Sequence, residues 1–225
     1  MFGGSVWHEQ QQRIPAHVND LSPDRNEAGV TKAHIHHSNP NLGTVLWPLH
    51  AYRDQRGYFM ESWHQEKLRG SGIPSKFVQD NISESQRGVL RGLHFQWPNA
   101  QGKLVQVLRG QIFDVAIDLR VDSPTFKRWY GVNLNADDPH CFYIPEGFAH
   151  GFCVLSEVAL VMYKCTRVYD GSADRCVAWN DRHLAIEWPV AAPILSAKDA
   201  GAPTLEQFAA SELPHGLPGR NEVPP

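Results

Sequence analysis

Gly88-Val-Leu-Arg-Gly-Leu-His94-Phe-Gln96, then Lys103, then Gly110, answered downstream by Pro145-Glu-Gly147-Phe-Ala-His150, is the stretch on which the reading of this chain turns. Two short apolar runs, 89–96 and 104–108, break at Arg109-Gly110 and lead into a third at 112–119. In that third run Phe113, Val115, Ile117 and Leu119 fall on one side and Asp114 and Asp118 on the other, the period of two expected of a strand. Outward from there, the same signals predict strands at 45–49, 57–63, 77–83, 129–134, 142–144, 151–155, 159–169 and 176–179, punctuated by Gly and Pro. Only 64–69 and 204–213 read as helices. Many short strands at near-regular spacing predict an all-β sandwich or barrel rather than a parallel α/β sheet. The chain has no internal repeat, no heptad and no G-x-G-x-x-G, so a Rossmann dinucleotide site is not expected.

The opening stretch resembles the metal site of the cupins, small jelly-roll barrels that carry His-x-His, then Glu, six residues and Gly, and later Pro-x-Gly-x-x-His. Gln96 stands at the second His position here, and Lys103 at the Glu position, with six residues between it and Gly110. Two imidazoles and an ammonium make a poor cage for a divalent ion, which wants three or four convergent neutral or anionic ligands. A lysine there instead places a positive charge in a pocket, as a metal-free enzyme stabilising an enolate requires. The expectation is a cupin-like jelly-roll β-barrel with short peripheral helices and no metal.

At 225 residues the chain fits one domain with appended ends and can bury roughly 70 % of its unfolded surface, so no disulfide staple is needed. Its 21 basic and 24 acidic residues leave a net charge of -3, which argues against nucleic acid or an anionic membrane as partner. Cys141, Cys153, Cys165 and Cys176 form no C-x-x-C pair and read as reduced core residues. The start lacks the basic and apolar regions of a signal peptide, and no run reaches the length of a membrane span. A cytoplasmic protein is expected.

Residues 1–42 are rich in Gln, Asn, Asp, Pro and His without a sustained period, and read as a mobile arm. Their His34-Ile-His36-His37 cluster has no fourth ligand at useful spacing and reads as a solvated segment. Residues 43–203 form the expected domain, and 204–225 a short helix with an irregular, Pro-rich tail.

Several further motifs resemble one family in order. They are Asp54-Gln-Arg56-Gly-Tyr-Phe59-Met-Glu61, Phe77-Val-Gln79-Asp80-Asn81, Arg91-Gly-Leu-His94, Gly102-Lys103-Leu-Val, Asp118-Leu-Arg120, Ile144-Pro-Glu-Gly-Phe-Ala-His150, Tyr163-Lys, Tyr169, Trp188-Pro189 and Lys198-Asp199. They are similar to the deoxythymidine diphosphate (dTDP)-4-dehydrorhamnose 3,5-epimerases, which invert the carbons flanking the ketone of a nucleotide-linked 4-keto-6-deoxyhexose. The chemistry suits the residues. A ketone acidifies its α C–H bonds, so epimerisation needs a base, an acid on the opposite face and a cation at the oxygen, but no redox or metal cofactor.

What the resemblance implies can be set out residue by residue. His94, whose ordinary pKa lies near 6.5, is the base. Asp199 is its partner carboxylate, Lys103 holds the C4 oxygen and Tyr163 is the acid. Arg56 and Arg91 grip the diphosphate and sugar oxygens, Phe59 stacks on the base, and Glu61, Gln79 and Asn81 add polar specificity. His150 lines the sugar pocket and Tyr169 reaches the nucleotide. The partners expected are a nucleotide-diphosphate sugar and a second copy in a homodimer. Three alternatives stand beside this reading: epimerisation at only one carbon, a sugar-nucleotide 3,4-ketoisomerase, and a non-catalytic cupin that binds sugar nucleotides.

Overall fold

The computed structural model describes residues 42–217 together with the two-residue strand Ile35–His36. His34 and His37 of the N-terminal histidine cluster lie outside the described residues. The strands in chain order are β1 (Ile35–His36), β2 (Val45–Pro48), β3 (Ala51–Asp54), β4 (Gly57–Met60), β5 (Gln79–Gln86), β6 (Leu90–Gln96) and β7 (Lys103–Arg109). After these come β8 (Gln111–Asp118), β9 (Trp129–Asn135), β10 (His140–Ile144), β11 (Phe148–Val154), β12 (Val158–Cys165) and β13 (Asp174–Cys176). They form a six-stranded sheet in the order β1-β9-β8-β11-β6-β13 and a five-stranded sheet in the order β2-β10-β7-β12-β5. β3 and β4 make a separate hairpin. Every pairing within these sheets is antiparallel.

The two sheets face each other across a core that draws Val105, Val107 and Val161 from one and Ile112, Ala116, Phe148 and Phe152 from the other. The outer face of the six-stranded sheet is also covered: Leu93, Phe95, Phe113, Val115 and Ile117 pack with Leu184, Leu205 and Leu213 of the C-terminal segments. Outside the five-stranded sheet, Leu104, Cys141 and Tyr143 pack beneath Leu68 and Ile73, with Trp63 and Phe77 alongside. This double covering alters the reading of β8. Asp114 and Asp118 do oppose the apolar residues, but they face the protein interior and are fully buried rather than solvated.

The two expected helices do not form as such. Residues 65–70 are turns closed by bonds such as Leu68 N–H to the His64 carbonyl at 3.3 Å; only Leu68 among them is buried, so no packed apolar face sustains a helix there. The 204–213 stretch divides into two 3-10 turns, Leu205–Gln207 and Ala210–Glu212, with extended residues between them. The α-helix that does form, α1 (Ala197–Ala200), is a single turn capped by Ser196, whose side chain accepts from the Asp199 N–H. All four cysteines are free and buried. No helix among the described residues is long and apolar enough to cross a membrane.

Candidate active site

The register of three strands builds one wall. Cys176 on β13, His94 on β6 and His150 on β11 lie directly opposite one another, so their side chains share the inner face of the six-stranded sheet. β6 and β11 approach closely at Gly92 and Gly151. Gly92 has φ +132°, and a Cβ there would come within 2.5 Å of the Gly151 Cα. The pairing shifts register between His150 and Phe152, beside this contact.

His94 bonds Asp199 through Nε2, 2.6 Å from Oδ1. The carboxylate is buried at 4 % exposure while the imidazole keeps 34 %, so one partner is screened and the other reachable. Burial alone would push the Asp199 carboxyl up; hydrogen bonds from His94, Ser196 and Cys176 outweigh it and hold the carboxyl below the ordinary carboxylate value. A carboxylate accepting from Nε2–H leaves Nδ1 of the neutral ring with the free lone pair.

Lys103 comes from the opposite sheet. Its Nζ lies 3.5 Å from the His94 carbonyl oxygen, and the residue is buried. Loss of solvation lowers its pKa from that of a free lysine, against the attraction of Cys165, Asp114 and Asp174. Tyr163 pairs with Val105, two residues along β7 from Lys103, and so shares the inner face of the five-stranded sheet with it. It is partly buried against the core, and burial raises its phenol pKa. His150 bonds the buried Asp114 at 3.0–3.1 Å through Nε2, and desolvation lowers its pKa despite that carboxylate.

The remaining expected residues divide into two groups. Arg91 donates from Nε to Ser85 Oγ at 2.9 Å. Gln79 donates to Asn81 at 3.0 Å and accepts the Tyr169 N–H at 2.7 Å, while the Tyr169 hydroxyl donates to Asp174 at 3.0 Å. Asp174, two residues before Cys176 on β13, lies opposite Gln96 of β6 and pairs with Lys198, the residue before Asp199, which ties this rim to the dyad. Arg56, Phe59 and Glu61 belong instead to the hairpin and the turn after it. Arg56 pairs with Asp54 of the same hairpin, Phe59 is 66 % exposed, and Glu61 pairs with Lys67 at 2.8 Å. Among the described residues no hydrogen bond or ion pair joins these three to His94, Asp199 or Lys103.

The contacts of three residues escaped the sequence. Gln96, at the lost ligand position, is held by backbone on both amide atoms, donating to the Asn99 carbonyl and accepting the Asp170 N–H, each at 2.9 Å. Asp114 had a signal, a carboxylate inside an apolar run. Cys176 had none, because only strand register brings its thiol to 3.6 Å from Asp199 Oδ1.

A model of the dTDP-4-dehydrorhamnose 3,5-epimerase family matches residues 42–207. The dTDP-4-dehydrorhamnose 3,5-epimerase of Salmonella typhimurium is 52 % identical over 166 residues, 72 % of this chain and 90 % of that protein. The crystal structure of dTDP-6-deoxy-D-glucose-3,5-epimerase from Legionella pneumophila in complex with dTDP-4-keto-L-rhamnose is similar at TM-score 0.76 and 43 % identity. It covers 83 % of this chain and all of that one (100 %). A 3'-monoepimerase from Streptomyces bikiniensis, in complex with dTDP-quinovose, is similar at TM-score 0.71 and 33 % identity, covering 77 % and 89 % of the two chains. With the sequence match running through both sheets and the dyad, this chain belongs to the dTDP-4-dehydrorhamnose 3,5-epimerase family of isomerases.

Proposed function

We propose that the protein converts dTDP-4-dehydro-6-deoxyglucose to dTDP-4-dehydrorhamnose by inverting C3 and C5 without a metal. His94 Nδ1 removes the α proton, and the electron pair moves into the C4 carbonyl to give an enolate. Lys103 Nζ stabilises the oxygen charge, which its dehydrated setting makes more effective than in water. The enolate then collapses back to the ketone as Tyr163 delivers a proton to the opposite face, and solvent restores both residues. The second carbon repeats the cycle.

The observation that carries this reading is the His94–Asp199 dyad, with its reachable imidazole, on the wall facing Lys103 and Tyr163. A sugar between two facing sheets has a base on one side and an acid on the other, which is the condition for inversion. Arg91, Gln79, Asn81, Tyr169 and His150 line the pocket for the sugar and diphosphate in this reading. Arg56, Phe59 and Glu61 are assigned to the nucleotide on resemblance, from the β3–β4 hairpin outside both sheets and the residue that follows it.

The reading includes a cytoplasmic homodimer. β5 is an edge strand with Ile82 exposed, and Tyr52, Tyr58 and Phe59 stand exposed on the hairpin. A second copy would cover these apolar surfaces.

The test is incubation of chelator-treated protein with dTDP-4-dehydro-6-deoxyglucose in heavy water, followed by NMR and mass spectrometry. Deuterium at both C3 and C5, with dTDP-4-dehydrorhamnose formed, is the expected result. Deuterium at one carbon points to a monoepimerase, a shifted carbonyl to a ketoisomerase, and none to a binding protein.

A further inference from the structure

Cys176 is a buried thiol that the proposed reaction does not use. Its Sγ lies 3.6 Å from Asp199 Oδ1, the same oxygen that His94 Nε2 approaches at 2.6 Å. The ligand atoms of His94, Cys176 and Asp199 all fall within 4.8 Å of one another. An imidazole nitrogen, a thiolate sulfur and a carboxylate oxygen are a mixed donor set suited to zinc and cadmium and unsuited to magnesium. We propose that His94, Cys176 and Asp199 form an inhibitory site for zinc-like divalent ions, separate from any metal requirement of the reaction.

The distances say how such an ion would fit. With Zn–S about 2.3 Å and Zn–O and Zn–N about 2.0–2.2 Å, a tetrahedron sets S···O at about 3.6 Å and N···O at about 3.4 Å. The sulfur–oxygen separation already matches. The nitrogen–oxygen pair must open by about 0.8 Å, because the ion takes the place of the proton between them. Of the two dyad members His94 is the solvent-reachable one, at 34 % exposure against 4 % for Asp199. Binding therefore consumes the dyad. That the ion binds follows from the cluster alone; that it inhibits rests on the epimerase reading.

The proton balance is explicit. The imidazole enters neutral, the carboxylate is ionised, and the thiol releases its proton to solvent as the S–metal bond forms. Burial first, then Asp199, push the thiol up to about 12, with Asp174 adding to the rise and Lys198 opposing it. Because the thiol gives up its proton on binding, affinity should rise with pH.

Cadmium titration of the full chain, read by the ultraviolet thiolate-to-metal absorption, tests binding without substrate. The expected result is one equivalent bound, no absorption with magnesium, and loss of the band in Cys176→Ala and in Cys176→Ser, with Cys141, Cys153 and Cys165 intact. Zinc should inhibit turnover, and each Cys176 variant, compared with its own metal-free rate, should need about 10–100 times more zinc. A band that persists in both variants, or is absent from the unaltered protein, overturns the site. A band lost as expected in a protein that does not turn over the sugar overturns the epimerase reading and leaves the metal site standing.

Discussion

His94 and Asp199, 105 residues apart in the chain, meet at 2.6 Å through Nε2 and Oδ1. The bond assigns the two ring nitrogens different tasks: Nε2 carries the proton shared with the carboxylate, and Nδ1 is left to accept one from substrate. Asp199→Asn keeps the shape but can reverse the tautomer, as its amide can donate to Nε2. It should lower kcat by about 10²–10⁴-fold. His94→Ala should abolish turnover while dTDP affinity, read by calorimetry, changes little. Near-normal turnover in His94→Ala would remove it as the base.

Lys103 sets an upper pH limit. Its folded pKa lies below 10.5 because burial disfavours the ammonium, whereas the Tyr163 phenol is raised above 10.0 by burial. The charge on Lys103 is present below its folded pKa and lost as pH rises through it. The kcat profile should therefore fall on the alkaline side below the pKa of free lysine. Lys103→Met should lower kcat by about 10²–10³-fold, the scale of one lost oxyanion donor. An unchanged alkaline limb in the residual activity of Lys103→Met would exclude the lysine as its source.

Gly92→Ala should damage the site and the fold together. Its φ of +132° is one an L side chain rarely adopts, and the new Cβ would meet the Gly151 Cα and the His150 carbonyl. Strain and overpacking together should cost about 2–5 kcal/mol in urea unfolding. Catalysis should fall further than stability alone explains, because β6 and β11 carry His94 and His150.

Asp118 supplies an acid-sensitive part of stability. Burial would raise its pKa, but Arg120 at 2.8–2.9 Å and the hydroxyls of Ser123 and Thr125, each at 2.6 Å, reverse the balance and hold it below 3.8. A depressed carboxylate pKa means that the unfolded chain binds the proton first. Its contribution is complete above the unfolded pKa and disappears as pH falls through the folded one. Unfolding free energy should decline below about pH 4, and Asp118→Asn should flatten that decline. Arg120→Met, which leaves the carboxylate buried and unpaired, should cost about 3–5 kcal/mol at neutral pH.

Strand content was legible because alternation is a property of neighbours. β8 was placed by Phe113, Val115 and Ile117 almost to the residue, as was β7 by its turn at Gly110. Local signals failed where length or covering decided the matter. The 64–69 segment has helix-forming residues but buries only Leu68, and 204–213 is held by the burial of Leu205 and Leu213 rather than by a helical stripe. The β3 strand, Ala51–Asp54, gave no apolar run to read because its side chains are largely exposed.

The candidate site divides in the same way. Residue type at the positions of the cupin-like motif set Lys103 and Gln96 apart from a metal-ligand set, and motif order identified the family, since both depend on residue identity along the chain. That Asp199 meets Nε2, that Lys103 reaches His94 from the other sheet, that Asp114 is the partner of His150, and that Cys176 stands beside the dyad were decided by tertiary structure. The reason is geometric: the sequence sets which face of its own strand a side chain occupies, but only sheet order and register determine what lies across from it.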